Sequence, residues 1–215
     1  MPDVGKRDWK KDEKGLYLPG ATPLRVEVPE CGFFVVAGRG DPNLPEFGEA
    51  VGALYALSYG VKFLPKKGPA PAGYHEFSVY PLEGVWDLEP FARDRVDEAG
   101  HAVLDKSALV YEAMIRQPDF VTQELAALML ERTEAKIPVA LRGRIRFERR
   151  AEGVCVQMMH LGPYDAEPAS FERIGAYCAE QGLSRTSGRH REIYLSDPGR
   201  TSPDKMRTVL RVQVR

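Results

Sequence analysis

The sequence predicts an α+β fold in which a strand-helix-strand-strand module occurs twice, related by pseudo-two-fold symmetry, with a helical insert between the copies. Both ends of the chain follow the order strand, Gly-rich turn, helix and strands, and Gly40 aligns with Gly162 when the copies are superposed. The middle of the chain instead carries Ala, Glu, Leu and Arg at helical spacing. We therefore expect one domain over residues 1–215, with a first module at 22–86, the insert at 87–136 and a second module at 137–215.

The first module follows a charged opening segment, residues 1–20, whose aromatic side chains are expected to dock it as an arm. Apolar runs at Val26–Val28 and Phe33–Ala37 predict strands. Between residues 47 and 60, apolar side chains recur at i, i+4, i+7 and i+8, which predicts a helix that ends at its final glycine. Residues 74–86 return to alternation, which predicts another strand.

Helical spacing in the insert predicts three helices, at Asp87–Ala99, Lys106–Arg116 and Phe120–Lys136. The second module repeats the order of the first. Its strands are predicted at 140–149, 153–164, 191–198 and 206–214, around a helix at 169–182. Two such modules related by a two-fold axis leave a cleft where their sheets meet, and interfaces of this kind are preferred ligand sites.

Charge and cysteine content argue against several classes of function and of cellular compartment. The chain has 30 Lys and Arg against 31 Asp and Glu, so it lacks the basic excess that is typical of proteins that bind nucleic acid. Its one basic stretch, residues 142–150, is interrupted by Glu148 and is interpreted as a solvated strand face. The cysteines are odd in number and lack a C-x-x-C pair, which favours a reducing compartment. No apolar run of about 20 residues and no secretory signal is present, so we expect a cytoplasmic protein without membrane contact.

The sharpest candidate site lies near the C-terminus, where His190, Glu192 and Tyr194 alternate onto one side of a predicted strand. A carboxylate among aromatic rings in a cleft is partly desolvated, which suits it to act as a general base. Such a carboxylate can also neutralise a cationic ligand that lies against the rings. The simpler alternative is an outward-facing, solvated strand side. Ser78 aligns with Glu192 in the first module, so a carboxylate site would be one-sided.

Other residues are weaker candidates. Trp86 is one of two tryptophans and Tyr55 lies on the apolar stripe of its helix, so core packing accounts for both. Tyr164 follows a Gly-Pro turn, where burial accounts less readily for an aromatic ring. No metal is expected, because the four histidines lack ligand spacing and His190 with Glu192 supplies only two ligands. No cofactor is expected either, since Gly-rich phosphate loops and the G-x-S-x-G motif are absent.

Seven stretches together resemble the GyrI-like small-molecule-binding family, in particular its longer stand-alone branch. They cover nearly the whole chain: DWKKDEKGLYLP, VPECGFFVVAGRGDPN, EFGEAVGALYALSYGVKF, SVYPLEGVW, AMIRQPDFV, HLGPYDAEPASFERI and REIYLSDPGRTSPDKMRTVLR. The resemblance implies two strand-helix-strand-strand modules around a central pocket. The residues that match the pocket glutamate and the pocket aromatics of the family are Glu192, Tyr194, Trp86, Tyr55 and Tyr164. Relatives often carry two successive tryptophans after PLEG, whereas here Trp86 is followed by Asp87, which puts the width of the pocket in question.

The resemblance implies a small-molecule partner that is planar and either hydrophobic or cationic. Stand-alone relatives hydrolyse cyclopropane-bearing cytotoxins, a detoxification reaction that opens the strained ring with water. On this hypothesis Glu192 deprotonates water, Tyr194 donates to the oxygen where charge develops, and the ligand is bound by Trp86, Tyr55, Tyr164 and His190. Two alternatives are a module that sequesters planar cations without chemistry and, as the least supported one, a protein that interacts with DNA gyrase.

Overall fold

The computed structural model describes residues 5–66, 68–92 and 104–215. These residues form one eight-stranded antiparallel sheet and five α-helices, which confirms the predicted α+β class. The strands are β1 (Leu24–Val28), β2 (Cys31–Arg39), β3 (Leu82–Leu88), β4 (Leu109–Gln117), β5 (Arg146–Arg150), β6 (Gly153–Leu161), β7 (His190–Tyr194) and β8 (Arg207–Gln213). The helices are α1 (Trp9–Asp12), α2 (Lys14–Tyr17), α3 (Pro45–Lys62), α4 (Gln123–Thr133) and α5 (Glu167–Glu180).

The order of the strands across the sheet is symmetric. It runs β1-β6-β8-β7-β3-β4-β2-β5. If each strand of the first half is exchanged with its counterpart in the second, β1 with β5, β2 with β6, β3 with β7 and β4 with β8, the same order is obtained when it is read from the other edge of the sheet. The midpoint lies between β3 and β7. Each half of the chain contains two strands, a helix and two more strands in sequence. The short first strand of each half pairs with the other half, β1 with β6 and β5 with β2, so the halves exchange their edge strands.

The predicted helix over Lys106–Arg116 is wrong, because residues Leu109–Gln117 form β4. This strand lies between β2 and β3, and its last five residues are all buried. Burial on both faces removes the apolar-polar alternation of a half-buried strand, and without alternation periodicity alone cannot distinguish a buried strand from a buried helix. The helix predicted at Phe120–Lys136 corresponds to α4. Residues 93–99 of the helix predicted at Asp87–Ala99 lie outside the described residues, and the first two residues of that range end β3.

Both predicted module helices are confirmed as α3 and α5, but α3 continues past Gly60 to Lys62. Gly60 serves helix packing rather than termination. A Cβ there would lie 2.7 Å from Met129 Cε, so the missing side chain lets α4 approach α3 closely. Gly182 has a φ of +64° just after α5, which is the left-handed conformation that commonly ends a helix.

Side chains of the sheet alternate between two faces, which we call the helix face and the arm face. The helix face carries Trp86 and Glu192, and it is covered by α3 over β2 and β4 and by α5 over β6 and β8. The arm face carries Glu83 and Arg191, and the opening segment docks on it as predicted. Tyr17 of α2 is buried there, and its hydroxyl donates to Glu83 Oε1 at 3.3 Å. Between α3 and α5, over β3 and β7, lies the middle of the helix face.

The three cysteines, Cys31, Cys155 and Cys178, are buried and form no disulfide bonds, so they pack as small apolar residues. Burial raises the pKa of Cys155 to about 12, which keeps its thiol protonated and unreactive. None of the helices in the described ranges is long and apolar enough to cross a lipid bilayer.

Candidate functional site

Every second residue of β7, namely His190, Glu192 and Tyr194, lies on the helix face. The alternation is that predicted from the sequence, but the solvated alternative does not hold, because Glu192 is only 8% exposed. Across the midpoint of the sheet, β3 places Trp86 opposite His190 and Gly84 opposite Glu192. These side chains therefore meet where the two halves of the chain join, in the gap between α3 and α5.

A chain of hydrogen bonds connects the side chains of Trp86, Tyr194, Glu192 and His190. Trp86 Nε1 donates to Tyr194 Oη at 2.7 Å, and Tyr194 Oη donates to Glu192 Oε2 at 2.8 Å. His190 Nε2 lies 3.0 Å from Glu192 Oε1 and donates to it when that ring nitrogen carries the hydrogen. Tyr194 therefore donates to one oxygen of Glu192, and the other oxygen lies within hydrogen-bonding distance of His190.

The absence of a side chain at Gly84 makes room for this chain of hydrogen bonds. A Cβ there would lie 2.5 Å from Trp86 Nε1 and 3.1 Å from Tyr194 Oη. The alignment of Ser78 with Glu192 is wrong, because Ser78 precedes β3 and lies outside the strand. The carboxylate is one-sided as expected, but it faces a glycine across the midpoint.

A second carboxyl group meets Glu192 from α5. Glu167, the first residue of that helix, is buried, and its carboxyl group lies near that of Glu192. Burial, followed by the negative charge of Glu192, raises the pKa of Glu167 from 4.5 to about 9. At neutral pH Glu167 is therefore protonated, and the two carboxyl groups share one negative charge. Glu167 Oε1 is buried and has no hydrogen-bond partner among the described residues.

Aromatic rings from both halves enclose the carboxyl pair. The ring pairs and their centroid separations are Tyr164–Tyr194 (5.9 Å), Phe171–His190 (4.7 Å), Phe47–Trp86 (5.7 Å) and Tyr111–Trp86 (5.2 Å). Burial, followed by the charge of Glu192, raises the pKa of Tyr164 to about 12 and that of Tyr194 well above 10. Both hydroxyl groups therefore keep their protons at neutral pH.

The structure does not bring Tyr55 into this cluster. Its ring packs against Tyr59 of the same helix at a centroid separation of 6.2 Å, and its side chain is partly buried against the core. These contacts agree with the core-packing interpretation of its position on the helical stripe. The residues that sequence reasoning did not assign to the site are Glu167, Phe47, Phe171 and Tyr111. For Phe47 and Phe171 the only signal was the apolar stripe of each helix, which does not say which end reaches a pocket.

His160 of β6 holds the turn that carries Tyr164. Its Nε2 lies 3.0 Å from Pro163 O and its Nδ1 lies 2.9 Å from Ser170 Oγ. A ring that donates from Nε2 and accepts at Nδ1 satisfies both contacts. His160 thereby fastens the end of β6 to the turn and to α5, which fixes the entry of the chain into the site.

Residues 5–66, 68–92 and 104–215 contain no group of three or more His, Cys, Asp or Glu side chains placed to hold a metal ion. In the candidate site, His190 and Glu192 supply only two side chains of these types, and the rings of Phe171 and Tyr194 lie beside them. What the site offers to a ligand is a carboxylate, a protonated carboxyl group and aromatic rings.

Comparison with known proteins agrees with this architecture. The chain has no significant match among curated protein sequences. Two crystal structures of hydrolases from Listeria innocua are 36% and 37% identical, cover 97% and 98% of this chain and 100% of their own, and give a TM-score of 0.85 each. The C-terminal domain of EcmrR shares the fold at a TM-score of 0.51 and 15% identity, over 93% of this chain and 98% of that one. Residues 25–215 match the model of the GyrI-like small molecule binding domain, and the chain therefore belongs to the GyrI-like family.

Proposed function

We propose that the two halves of the chain are copies of one module and that the gap between α3 and α5 binds small, planar molecules that are hydrophobic or cationic. The observation that carries the proposal is the buried, singly charged pair Glu192–Glu167 inside a ring of aromatic side chains. A cation gains from the carboxylate and from the ring faces together, and the low exposure strengthens both attractions. The first copy then extends to β4, since β4 occupies the position that β8 has in the second.

Entry to the pocket requires a movement of the enclosing rings, because Trp86 and Glu192 are 5% and 8% exposed. Tyr164 is the outermost of these rings, at 37% exposed, and it lies on a short turn rather than in a strand. We assign to Tyr164 the role of the ring that turns aside to admit a flat ligand against Trp86 and Tyr194. His190 borders the same space through its contact with Glu192.

We further propose that the pocket hydrolyses cyclopropane-bearing compounds by adding water, in line with the name hydrolase of the two Listeria proteins. Glu192 takes a proton from water while the water oxygen bonds to a ring carbon. The C–C bond of the three-membered ring breaks, and its electron pair moves to a conjugated carbonyl group, whose oxygen takes the proton of Glu167. The product is heavier by one water molecule. A proton shift from Glu192 to Glu167 then restores the pair.

This assignment changes the role expected of Tyr194. The sequence suggested that its hydroxyl donates to the oxygen of the substrate, but that hydrogen already points to Glu192. Tyr194 is better suited to orient the base. Glu167 suits the acid, because two carboxyl groups whose environments separate their pKa values are the usual arrangement for paired acid and base catalysis.

Mass spectrometry of a spirocyclopropyl-cyclohexadienone incubated with the protein tests the proposal. We expect addition of water by the wild type and by Glu172→Gln, a control on the exposed side of α5. Glu192→Gln is expected to form no product, and full turnover by that variant would contradict the assigned base. If the wild type binds the compound without converting it, the hydrolase part of the proposal fails and the binding part stands.

A binding module without chemistry is the second candidate, and the aromatic enclosure of a single negative charge favours it. In that case Glu192→Gln weakens a planar cationic dye by about tenfold or more, since a charge-assisted contact is lost, and leaves a neutral dye of similar shape unaffected. Fluorescence titration of both dyes measures this. Equal weakening of both dyes would speak against charge recognition.

A further inference from the structure

The arm face of β7 carries a cavity of about 310 Å³, behind the candidate site. Glu192 and Tyr194 point to the helix face, whereas Arg189 and Arg191 line this cavity and His190 borders it. The charged side chains that line it are Arg150, Arg189, Arg191, Arg211 and Glu152. Four guanidinium groups and one carboxylate therefore line the cavity.

The arginines form a funnel. Arg191 and Arg211 lie at the bottom, with side chains 5% and 3% exposed. Arg189 and Arg150 lie at the mouth, with side chains 50% and 22% exposed. A ligand that enters from solvent meets the more exposed arginines first and the buried ones at the end.

One donor at the bottom of the funnel is unused. Arg191 Nη1 donates to Glu83 Oε2 at 2.7 Å. Arg191 Nε lies 3.3 Å from Glu152 Oε1, but it makes no hydrogen bond with any described residue, although it is buried. Arg211 shares Glu152, with Nη1 3.3 Å from Oε2. An unpaired buried N–H is costly, so a rearrangement of Arg191 and Glu152 that brings an external acceptor to this nitrogen would be favourable.

The arginines at the mouth also share their carboxylate. Glu112 contacts Arg150 at 2.9 Å, Arg189 at 3.2 Å and Arg146 at 2.6 Å. Glu148 contacts Arg146 and Arg150 as well. Together with the ion pairs at the bottom of the funnel, these contacts form a network in which the arginines outnumber the carboxylates by five to four. Its members are Arg146, Arg150, Arg189, Arg191, Arg211, Glu83, Glu112, Glu148 and Glu152.

We propose that this cavity binds the phosphate or carboxylate group of a small molecule, held by Arg150, Arg189, Arg191 and Arg211. Planar guanidinium groups match oxyanions with paired hydrogen bonds, and the excess of positive charge at the cavity favours an anion. Ser187, which also lines the cavity, adds a hydroxyl donor. The cavity lies on the opposite face of the sheet from the pocket that suits planar or cationic molecules and shares His190 with it at the border, but the anion site does not depend on the function proposed for that pocket.

Calorimetric titration with sodium phosphate and with sodium succinate, at constant ionic strength set by chloride, tests the site. We expect one of these anions to bind the wild type and to bind Arg149→Ala equally well. Arg149 is an exposed arginine of β5 that lies next to the funnel residue Arg150, but on the opposite face, and it pairs with Glu30. Arg189→Ala is expected to weaken the anion by at least about tenfold, as loss of a charged hydrogen bond does.

Arg189 is half exposed, so its variant is expected to fold, and a melting curve verifies this. Succinate binding without phosphate binding would identify a carboxylate ligand, and the reverse would identify a phosphate. The proposal is overturned if neither anion binds the wild type, or if Arg189→Ala binds as tightly as Arg149→Ala.

Discussion

Glu167→Gln is expected to change how the stability of the protein depends on pH. The pKa of Glu167 is raised to about 9 in the folded protein, whereas an unfolded chain has an ordinary value of 4.5. Between these values the folded state holds a proton that the unfolded state releases, so the free energy of unfolding falls as pH rises. The slope is at most about 1.4 kcal/mol per pH unit, which amounts to about 3 kcal/mol between pH 4.5 and pH 7. Glutamine keeps the shape and the donor group but cannot lose a proton.

Urea unfolding of both proteins at several pH values from about 5 to 8 measures this effect. The free energy of unfolding of Glu167→Gln minus that of the wild type is expected to increase steadily with pH. Glu172→Gln, on the exposed side of the same helix, is expected to differ from the wild type by a constant amount. A constant difference for Glu167→Gln as well would refute the argument that Glu167 is protonated in the folded protein.

Three further substitutions test the packing around the site and the arm face. Gly84→Ala places a methyl group 2.5 Å from Trp86 Nε1, so it is expected to break the hydrogen bond from Trp86 to Tyr194. We expect the free energy of unfolding to fall by about 1–3 kcal/mol and the tryptophan fluorescence to shift. Trp86→Phe keeps a ring face but loses the donor to Tyr194. We expect a loss of about 1 kcal/mol in urea unfolding, and an unchanged stability would contradict the hydrogen bond. Glu83→Gln leaves the guanidinium of Arg191 buried without its closest carboxylate. Chemical denaturation is expected to show a free energy of unfolding lower by about 3–5 kcal/mol, and a decrease below 1 kcal/mol would mean that the pair contributes little to stability.

Elements with one buried face could be predicted from the sequence. The helices α3 and α5 have apolar stripes, and β7 alternates, so the shared side of His190, Glu192 and Tyr194 follows from a period of two. The central strand β4 could not be predicted in this way, because burial on both sides removes the alternation. The sheet order could not be predicted either, since the exchange of β1 and β5 between the halves leaves no trace in local spacing.

Of the two carboxyl groups in the candidate site, only Glu192 could be predicted from the sequence. Glu192 could be singled out because it alternates with His190 and Tyr194 onto one side of a predicted strand and matches the pocket glutamate of the family that the chain resembles. Glu167 could not, because an acidic residue in the first turn of a helix is already accounted for by the helix dipole. Its carboxyl group comes near Glu192 only when the first turns of α5 pack beside β7.

The exchange of edge strands has a mechanical consequence for the whole chain. A fragment that ended after β4 would keep β2 without the neighbour that β5 provides, and the remaining fragment would keep β6 without β1. Each fragment would present an open strand edge, which invites pairing with another molecule. The two halves are therefore fastened to each other at both rims of the sheet as well as at its middle, so the sheet under the pocket cannot hinge open between β3 and β7.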